Sequence, residues 1–144
     1  MATKHFEDVN VGEEIPAYKV KAGYMELNRF AGANDELIPI HMDPEASAKA
    51  KLPGVIVMGN LKLAYMANAI EKWAGDDAWI RKLEVSYRKM DMVNEELSAK
   101  GVVKAKRSEG GQHLVDLDVW VENSKGETTT PGAATVALPS KTKK

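Results

Sequence analysis

The spacing of apolar residues in this chain follows a helical period in the first half and alternates in the second half. From Gly59 to Ala74 most positions are apolar, and they include leucine, alanine, methionine, isoleucine, tyrosine and tryptophan. A helix that is apolar over most of its circumference is surrounded by other elements. We therefore expect Gly59–Ala74 to be a central, buried helix. Gly75 follows directly, where glycine commonly ends a helix.

Three stretches after this helix alternate between apolar and polar residues, around positions 83–88, 97–105 and 115–121. A period of two is typical of antiparallel strands with one face on a core and the other face in water. Hairpin connections are predicted at Ser108–Gln112, which contains a Gly-Gly pair, and at Asn123–Gly126. The second half of the chain therefore predicts an antiparallel meander.

The last predicted strand runs from about Thr128 to Leu138 and contains Pro131-Gly132. Proline cannot donate a hydrogen bond to a neighbouring strand, so this pair indicates a bulge or a sheet edge. A free edge and an incompletely covered face would favour self-association or a partner chain.

The segments before the central helix are shorter. A strand around Ile15–Lys21 precedes an amphipathic helix at Tyr24–Ala33, where apolar residues recur at helical spacing. Pro39 and Pro44 prevent this helix from continuing, and Pro44 suits the first position of another short helix. One long helix followed by a meander predicts an α+β fold, with a curved antiparallel sheet around the helix. We expect residues 1–144 to form a single domain.

Composition excludes several classes of function. The 20 basic and 21 acidic residues nearly cancel, so no bulk attraction to nucleic acid or membrane is expected. The absence of cysteine excludes disulfides, a thiolate nucleophile and a zinc–thiolate site. The N-terminus lacks an apolar signal core, which predicts a soluble cytoplasmic protein. Lysines at the C-terminal end predict a solvated tail (Lys141, Lys143 and Lys144).

Residues that could perform chemistry are concentrated between Leu27 and Ala74. A proline-flanked loop carries Asp35, Glu36 and His41, and the start of the central helix follows at Gly59. A carboxylate and an imidazole can move protons, and the N–H groups at a helix N-terminus can stabilise negative charge. Without further context, however, His41 would be an ordinary loop histidine.

The motif F-A-G-A-x(5)-P-I-H-x-D-P-E, followed by L-P-G-V-I-x(2)-G, resembles the MaoC-like, (R)-specific enoyl-CoA hydratase family, which has the hot-dog fold. The loop of that family usually reads S-G-D-x-N-P-I-H, and its segment before the helix reads A-H-G. When the loops are aligned at His41, the family aspartate falls on Glu36 and the asparagine on Ile38. The A-H-G histidine falls on Met58, and its glycine falls on Gly59.

This resemblance implies a hydratase or dehydratase that acts on a 2-enoyl or 3-hydroxyacyl thioester, with no cofactor. Glu36 and His41 would activate water, and Asp35 is the alternative carboxylate if the loop is rearranged. The N–H of Gly59 would stabilise charge on the thioester oxygen, beside the substrate-binding positions Met58 and Ile38. No metal is expected, because the His-x-Asp pair at His41 lacks a third ligand.

Two alternatives remain open. The departures at Glu36, Ile38 and Met58 favour a non-catalytic or half-catalytic hot-dog subunit that supports a partner hydratase chain. The segment W-A-G-D-D-A-W-I-R-K-L is also similar to small hot-dog subunits that act with a second chain. A thioesterase is the other alternative, although such enzymes commonly carry an acidic residue on the central helix and none occurs from Gly59 to Ile70. The expected partners are an acyl-CoA or acyl-carrier thioester and a second hot-dog subunit, identical or related.

Overall fold

Helices and strands occupy most of residues 2–142, the part of the chain that this computed structural model describes. The predicted C-terminal tail lies partly outside these residues, since Lys143 and Lys144 are not described. Lys141 is described, and it pairs with Asp8 instead of extending freely into solvent. Two short 3-10 turns occur at Phe6–Asp8 and Pro39–His41. The remaining elements are, in chain order, β1 (Glu14–Lys21), α1 (Tyr24–Asn34), α2 (Pro44–Lys49), α3 (Gly59–Ala74), β2 (Trp79–Val85), β3 (Glu96–Glu109), β4 (Gln112–Glu122) and β5 (Thr128–Leu138).

The strands form one antiparallel sheet in the order β1-β3-β4-β5-β2. Helix α3 packs against β1, β2, β3 and β4. Because β1 and β2 lie at opposite edges, contact with both requires the sheet to curve around the helix. The predicted α+β architecture, with a central helix wrapped by an antiparallel sheet, is confirmed. The bounds of α3 also agree with those expected from the sequence.

A single hydrophobic cluster fills the space between α3 and the inner face of the sheet. In the strands the buried side chains alternate with exposed or half-buried ones, as the period of two predicts. Large side chains with almost no exposure come from α1, α3 and the central strands, and they include Leu27, Met66, Ile70, Leu97 and Leu117.

Strand β5 differs from its prediction at Pro131-Gly132. It lies between β4 and β2, and Pro131 remains paired with β4. The bulge lies earlier, at Thr129, where the register with β4 shifts. Pro131 is tolerated because β5 pairs with β2 only from Gly132 onward, so no ladder hydrogen bond to β2 is needed from the proline nitrogen. The expected edge position was wrong, and the expected bulge was displaced from the proline.

No helix among residues 2–142 is long and apolar enough to cross a membrane.

Candidate active site

His41 ends the 3-10 turn Pro39–His41, which begins with a proline at its first position. Its side chain is buried, with 7% of the residue exposed. Ring atom Nδ1 lies 2.7 Å from the carbonyl oxygen of Ile56. A carbonyl can only accept a hydrogen bond, so Nδ1 carries a proton and Nε2 of the neutral ring is an acceptor. His41 is therefore held in the tautomer that can take a proton at Nε2.

Glu36 follows the end of α1, where Asp35 adopts a left-handed conformation with φ of 51°. This turn brings the N–H of Glu36 within 3.0 Å of the Ala31 carbonyl oxygen. One carboxylate oxygen, Oε2, accepts hydrogen bonds from the side-chain amides of Asn34 at 3.0 Å and Asn60 at 3.2 Å. The other oxygen, Oε1, has no hydrogen-bond partner among residues 2–142 and can accept a bond from water.

Helix α3 begins at Gly59, directly beneath the ring of Tyr87. A Cβ atom added to Gly59 would lie 2.8 Å from this ring, so the close contact requires glycine. The hydroxyl of Tyr87 donates to the side-chain oxygen of Asn60 at 3.1 Å. Met58, at the N-cap position, makes no side-chain cap hydrogen bond and is completely buried. The first N–H groups of α3 have no partner within the helix and can bind a negatively charged atom.

A cavity of about 210 Å³ lies at the start of α3 and is lined by His41, Gly59, Lys62 and Tyr87, together with Ile56, Val57, Arg88, Lys89 and Met90. Glu36 approaches this region through Asn60 and Tyr87. Burial raises the pKa of the Tyr87 hydroxyl above its usual value, and the negative charge of Glu36 raises it further. The cavity is therefore lined by an imidazole and a helix N-terminus, and hydrogen bonds through Tyr87 and Asn60 connect its edge to the Glu36 carboxylate.

Lys62 is a residue of this site that the sequence pattern did not reveal. It is 2% exposed, and its ammonium group donates to Oδ2 of Asp91 at 2.9 Å and to the Lys89 carbonyl at 3.1 Å. Thr129 donates to the same Asp91 oxygen at 2.7 Å. Its burial could have been inferred from spacing, because position 62 lies on the same face of the helix as the buried residues Met66 and Ile70.

The remaining predicted site residues lie further from this cavity. The side chains of Asp35 and Ile38 are exposed, and neither lines the cavity. Among residues 2–142 no hydrogen bond joins Glu36 directly to His41. These two residues are instead fixed separately, Glu36 by Asn60 and His41 by the Ile56 carbonyl. No group of three or more metal-ligating side chains occurs in the described part of the chain.

Solved structures of similar fold include an (R)-hydratase from A. caviae involved in PHA biosynthesis. It is 22% identical, covers 92% of this chain and 99% of its own, and superposes with a TM-score of 0.86. The R-hydratase PhaJ1 from Pseudomonas aeruginosa is 20% identical, covers 95% of this chain and 86% of its own, and superposes with a TM-score of 0.87. A chain of the ChsH1-ChsH2 complex from Mycobacterium tuberculosis is 17% identical. It covers 90% of this chain and 98% of its own, with a TM-score of 0.80.

The fold and the site together define a hot-dog protein that carries an imidazole and a carboxylate near the start of its central helix. The sequence model of the MaoC-like domain matches residues 9–125. The chain belongs to the MaoC-like domain family. A comparison with curated proteins gives no match.

Proposed function

We propose that this protein is a hydratase or dehydratase that interconverts 2-enoyl and 3-hydroxyacyl thioesters. The observation that carries the proposal is the state of His41, buried beside the start of α3 with Nδ1 bonded to a carbonyl at 2.7 Å. An ordinary loop histidine would be solvated, whereas this one is fixed with Nε2 available for proton transfer. Membership of the MaoC-like family supports the same class of reaction.

In the proposed reaction, Glu36 and His41 hold one water molecule whose oxygen forms a bond to C3 of the enoyl thioester. The electron pair of the C2–C3 double bond moves toward C2, and negative charge develops on the thioester oxygen. One proton passes from the water to the carboxylate–imidazole pair, and the pair returns a proton to C2, so that one water is added. The reverse sequence is dehydration.

The start of α3 supplies the stabilisation of charge in this proposal. In this proposal the thioester oxygen binds to the N–H of Gly59, at the positive end of the helix dipole. An acyl thioester of coenzyme A or of a carrier protein would then be the substrate, and no cofactor takes part.

The test is an assay of hydration with 2-enoyl-coenzyme A thioesters of short, medium and long chain. The loss of enoyl absorbance measures the rate. We expect His41→Ala and Glu36→Gln each to lower kcat/KM by about 100-fold or more, because each removes a proton-transfer group. Glu36→Asp should retain activity, since it keeps a carboxylate. Asp35→Asn is the matched control and should leave the rate close to that of the wild type. Wild-type rates in both His41→Ala and Glu36→Gln would overturn the assignment.

A second candidate is a supporting subunit that acts with a different hot-dog chain. The specific observation in its favour is the similarity to a chain of the ChsH1-ChsH2 complex, whose name describes two components. In that case the purified chain would show no hydration alone and would gain it when mixed with its partner. Loss of that activity with His41→Ala would mean that this chain still contributes a catalytic group.

A further inference from the structure

We propose that Asn60 is the positioning residue for Glu36, and that Tyr87 holds Asn60 in place for this role. This inference rests on the proposed function, because it assigns a role to Asn60 in the same reaction. It concerns how a carboxylate on an exposed loop is held at the start of α3.

The geometry forms a directed chain of hydrogen bonds. The Tyr87 hydroxyl donates to Oδ1 of Asn60 at 3.1 Å, and Nδ2 of Asn60 donates to Oε2 of Glu36 at 3.2 Å. Because Oδ1 already accepts a bond from Tyr87, the amide is oriented with its nitrogen toward Glu36. Reversing the amide would place its oxygen against the carboxylate, and two acceptors would repel each other.

The loop around Glu36 offers few other restraints. Leu37 is 64% exposed and Ile38 is 47% exposed, so neither anchors the loop by deep burial. Ile38 also has no side-chain donor that could bind a carboxylate. The other amide on Oε2 comes from Asn34, the last residue of α1, which is close in the chain and exposed. Asn60 therefore supplies the restraint that connects Glu36 to a different element.

Asn60 is suited to this task because it lies in the first turn of a 16-residue helix. A donor fixed on a helix places its partner more accurately than a donor on a loop. Both amides bind Oε2, which leaves Oε1 for the water molecule of the reaction. His41 is anchored independently by Ile56, in the segment that leads into α3. Thus α3 and its lead-in segment fix both members of the proposed pair.

The sharpest test is Asn60→Asp, which preserves shape and the acceptor for Tyr87 but removes the donor that faces Glu36. We expect kcat to fall by about 100-fold, because a displacement near 1 Å can cost this much, with KM changed by less than about twofold. Tyr87→Phe keeps the ring over Gly59 and should lower kcat less, by about threefold to tenfold. Asn28→Asp makes the same change at an exposed position of α1 and should have no effect.

The assay uses 2-enoyl-coenzyme A thioesters, with Glu36→Gln measured in parallel and a crystal structure of Asn60→Asp. We expect the Glu36 carboxylate to leave its wild-type position in that structure. If Glu36→Gln is inactive and Asn60→Asp has wild-type kcat, the positioning role is wrong and the proposed function stands. If Glu36→Gln retains wild-type kcat, the proposed use of Glu36 fails, and the positioning role fails with it. A protein inactive both alone and with a partner subunit would overturn both.

Discussion

At the scale of single residues, Lys62 and Asp91 form the most deeply buried ion pair in the described part of the chain. The two side chains are 3% and 0% exposed, and Thr129 also donates to the shared carboxylate oxygen. The other carboxylate oxygen, Oδ1, is buried without a partner among residues 2–142. Removing one partner of a buried pair leaves the other charge without a counter-ion. The loss of folding stability is then larger than the stability that the intact pair contributes.

We therefore expect Lys62→Met to lower the free energy of unfolding by about 3–5 kcal/mol. The double variant Lys62→Met/Asp91→Leu should recover most of this loss, because it removes both charges. Lys82→Met breaks the exposed pair with Glu84 and is the control, with an expected change below about 1 kcal/mol. Denaturant unfolding measures all three. A double variant no more stable than Lys62→Met would contradict the explanation.

The hydroxyl of Tyr87 reports directly on Glu36. Its pKa is raised by burial and by the negative charge of Glu36, because both disfavour the tyrosinate. Glu36→Gln should therefore lower the pKa of Tyr87 toward its ordinary value. An NMR titration with labelled tyrosine measures this shift. Burial raises the pKa of Tyr65 to about 12, with a smaller contribution from Glu26, so Tyr65 should not respond. An unchanged Tyr87 pKa would show that the two groups do not interact in solution.

Residue types in the loop indicated part of this site, and the rest depends on contacts that are distant in sequence. Glu36 and His41 could be proposed from their spacing around two prolines, together with the family resemblance. Asn60 and Tyr87 could not, because nothing local predicts that the loop after β2 covers the start of α3. Lys62 was missed because its buried carboxylate partner, Asp91, is supplied by that same loop.

At the scale of elements, the contact between β2 and β5 depends on Gly132. A Cβ atom at this position would lie 2.4 Å from the carbonyl oxygen of Glu84, which belongs to the backbone of β2. The neighbouring strand cannot move away without breaking the ladder that pairs Glu84 with Ala133 and Val85 with Gly132. Glycine is therefore required by close approach of the two strands.

We expect Gly132→Ala to lower the free energy of unfolding by about 1–3 kcal/mol, the usual cost of overpacking. Gly32→Ala is the matched control, since Gly32 lies in α1 with no atom within 4 Å of an added Cβ. That substitution should raise stability by up to about 1 kcal/mol, because alanine is the better helix former. Thermal unfolding compares the two variants. Equal stability of Gly132→Ala and the wild type would contradict the steric argument.

Elements with a strong local period were predictable, and pairing between distant strands was not. The bounds of α3 followed from an apolar run that ends at a glycine, which is local information. The role of Pro131-Gly132 depends on where β2 ends beside β5, and that is set by a strand far earlier in the chain. Pro131 therefore correctly predicted an irregularity in β5, but the bulge lies at Thr129 and the strand does not lie at a sheet edge.

At the scale of the whole molecule, several surfaces of the chain are open to association. Among residues 2–142, strands β1 and β2 are the edges of the sheet, and each pairs with a neighbouring strand on one side only. The loop after α1 and the loop after β2 border the cavity through His41 and Tyr87. These two loops also expose large apolar side chains, which are Leu37, Ile38, Tyr87 and Met90. An apolar surface around a candidate site favours a neighbouring subunit that covers it.

We expect the protein to form a dimer, either with itself or with a related chain, through an interface that includes these two loops. Light scattering should give about twice the chain mass of 15.8 kDa for a homodimer. Leu37→Glu combined with Ile38→Glu should reduce the mass to that of one chain, because both charges would be buried without partners. Val11→Glu places a charge at an equally exposed apolar residue before β1 and should leave the dimer intact. A stable monomer of the wild type at micromolar concentration, with no second chain bound after purification, would refute this assembly. In that case the proposed substrate would have to bind in the cavity at the start of α3 without a neighbouring subunit.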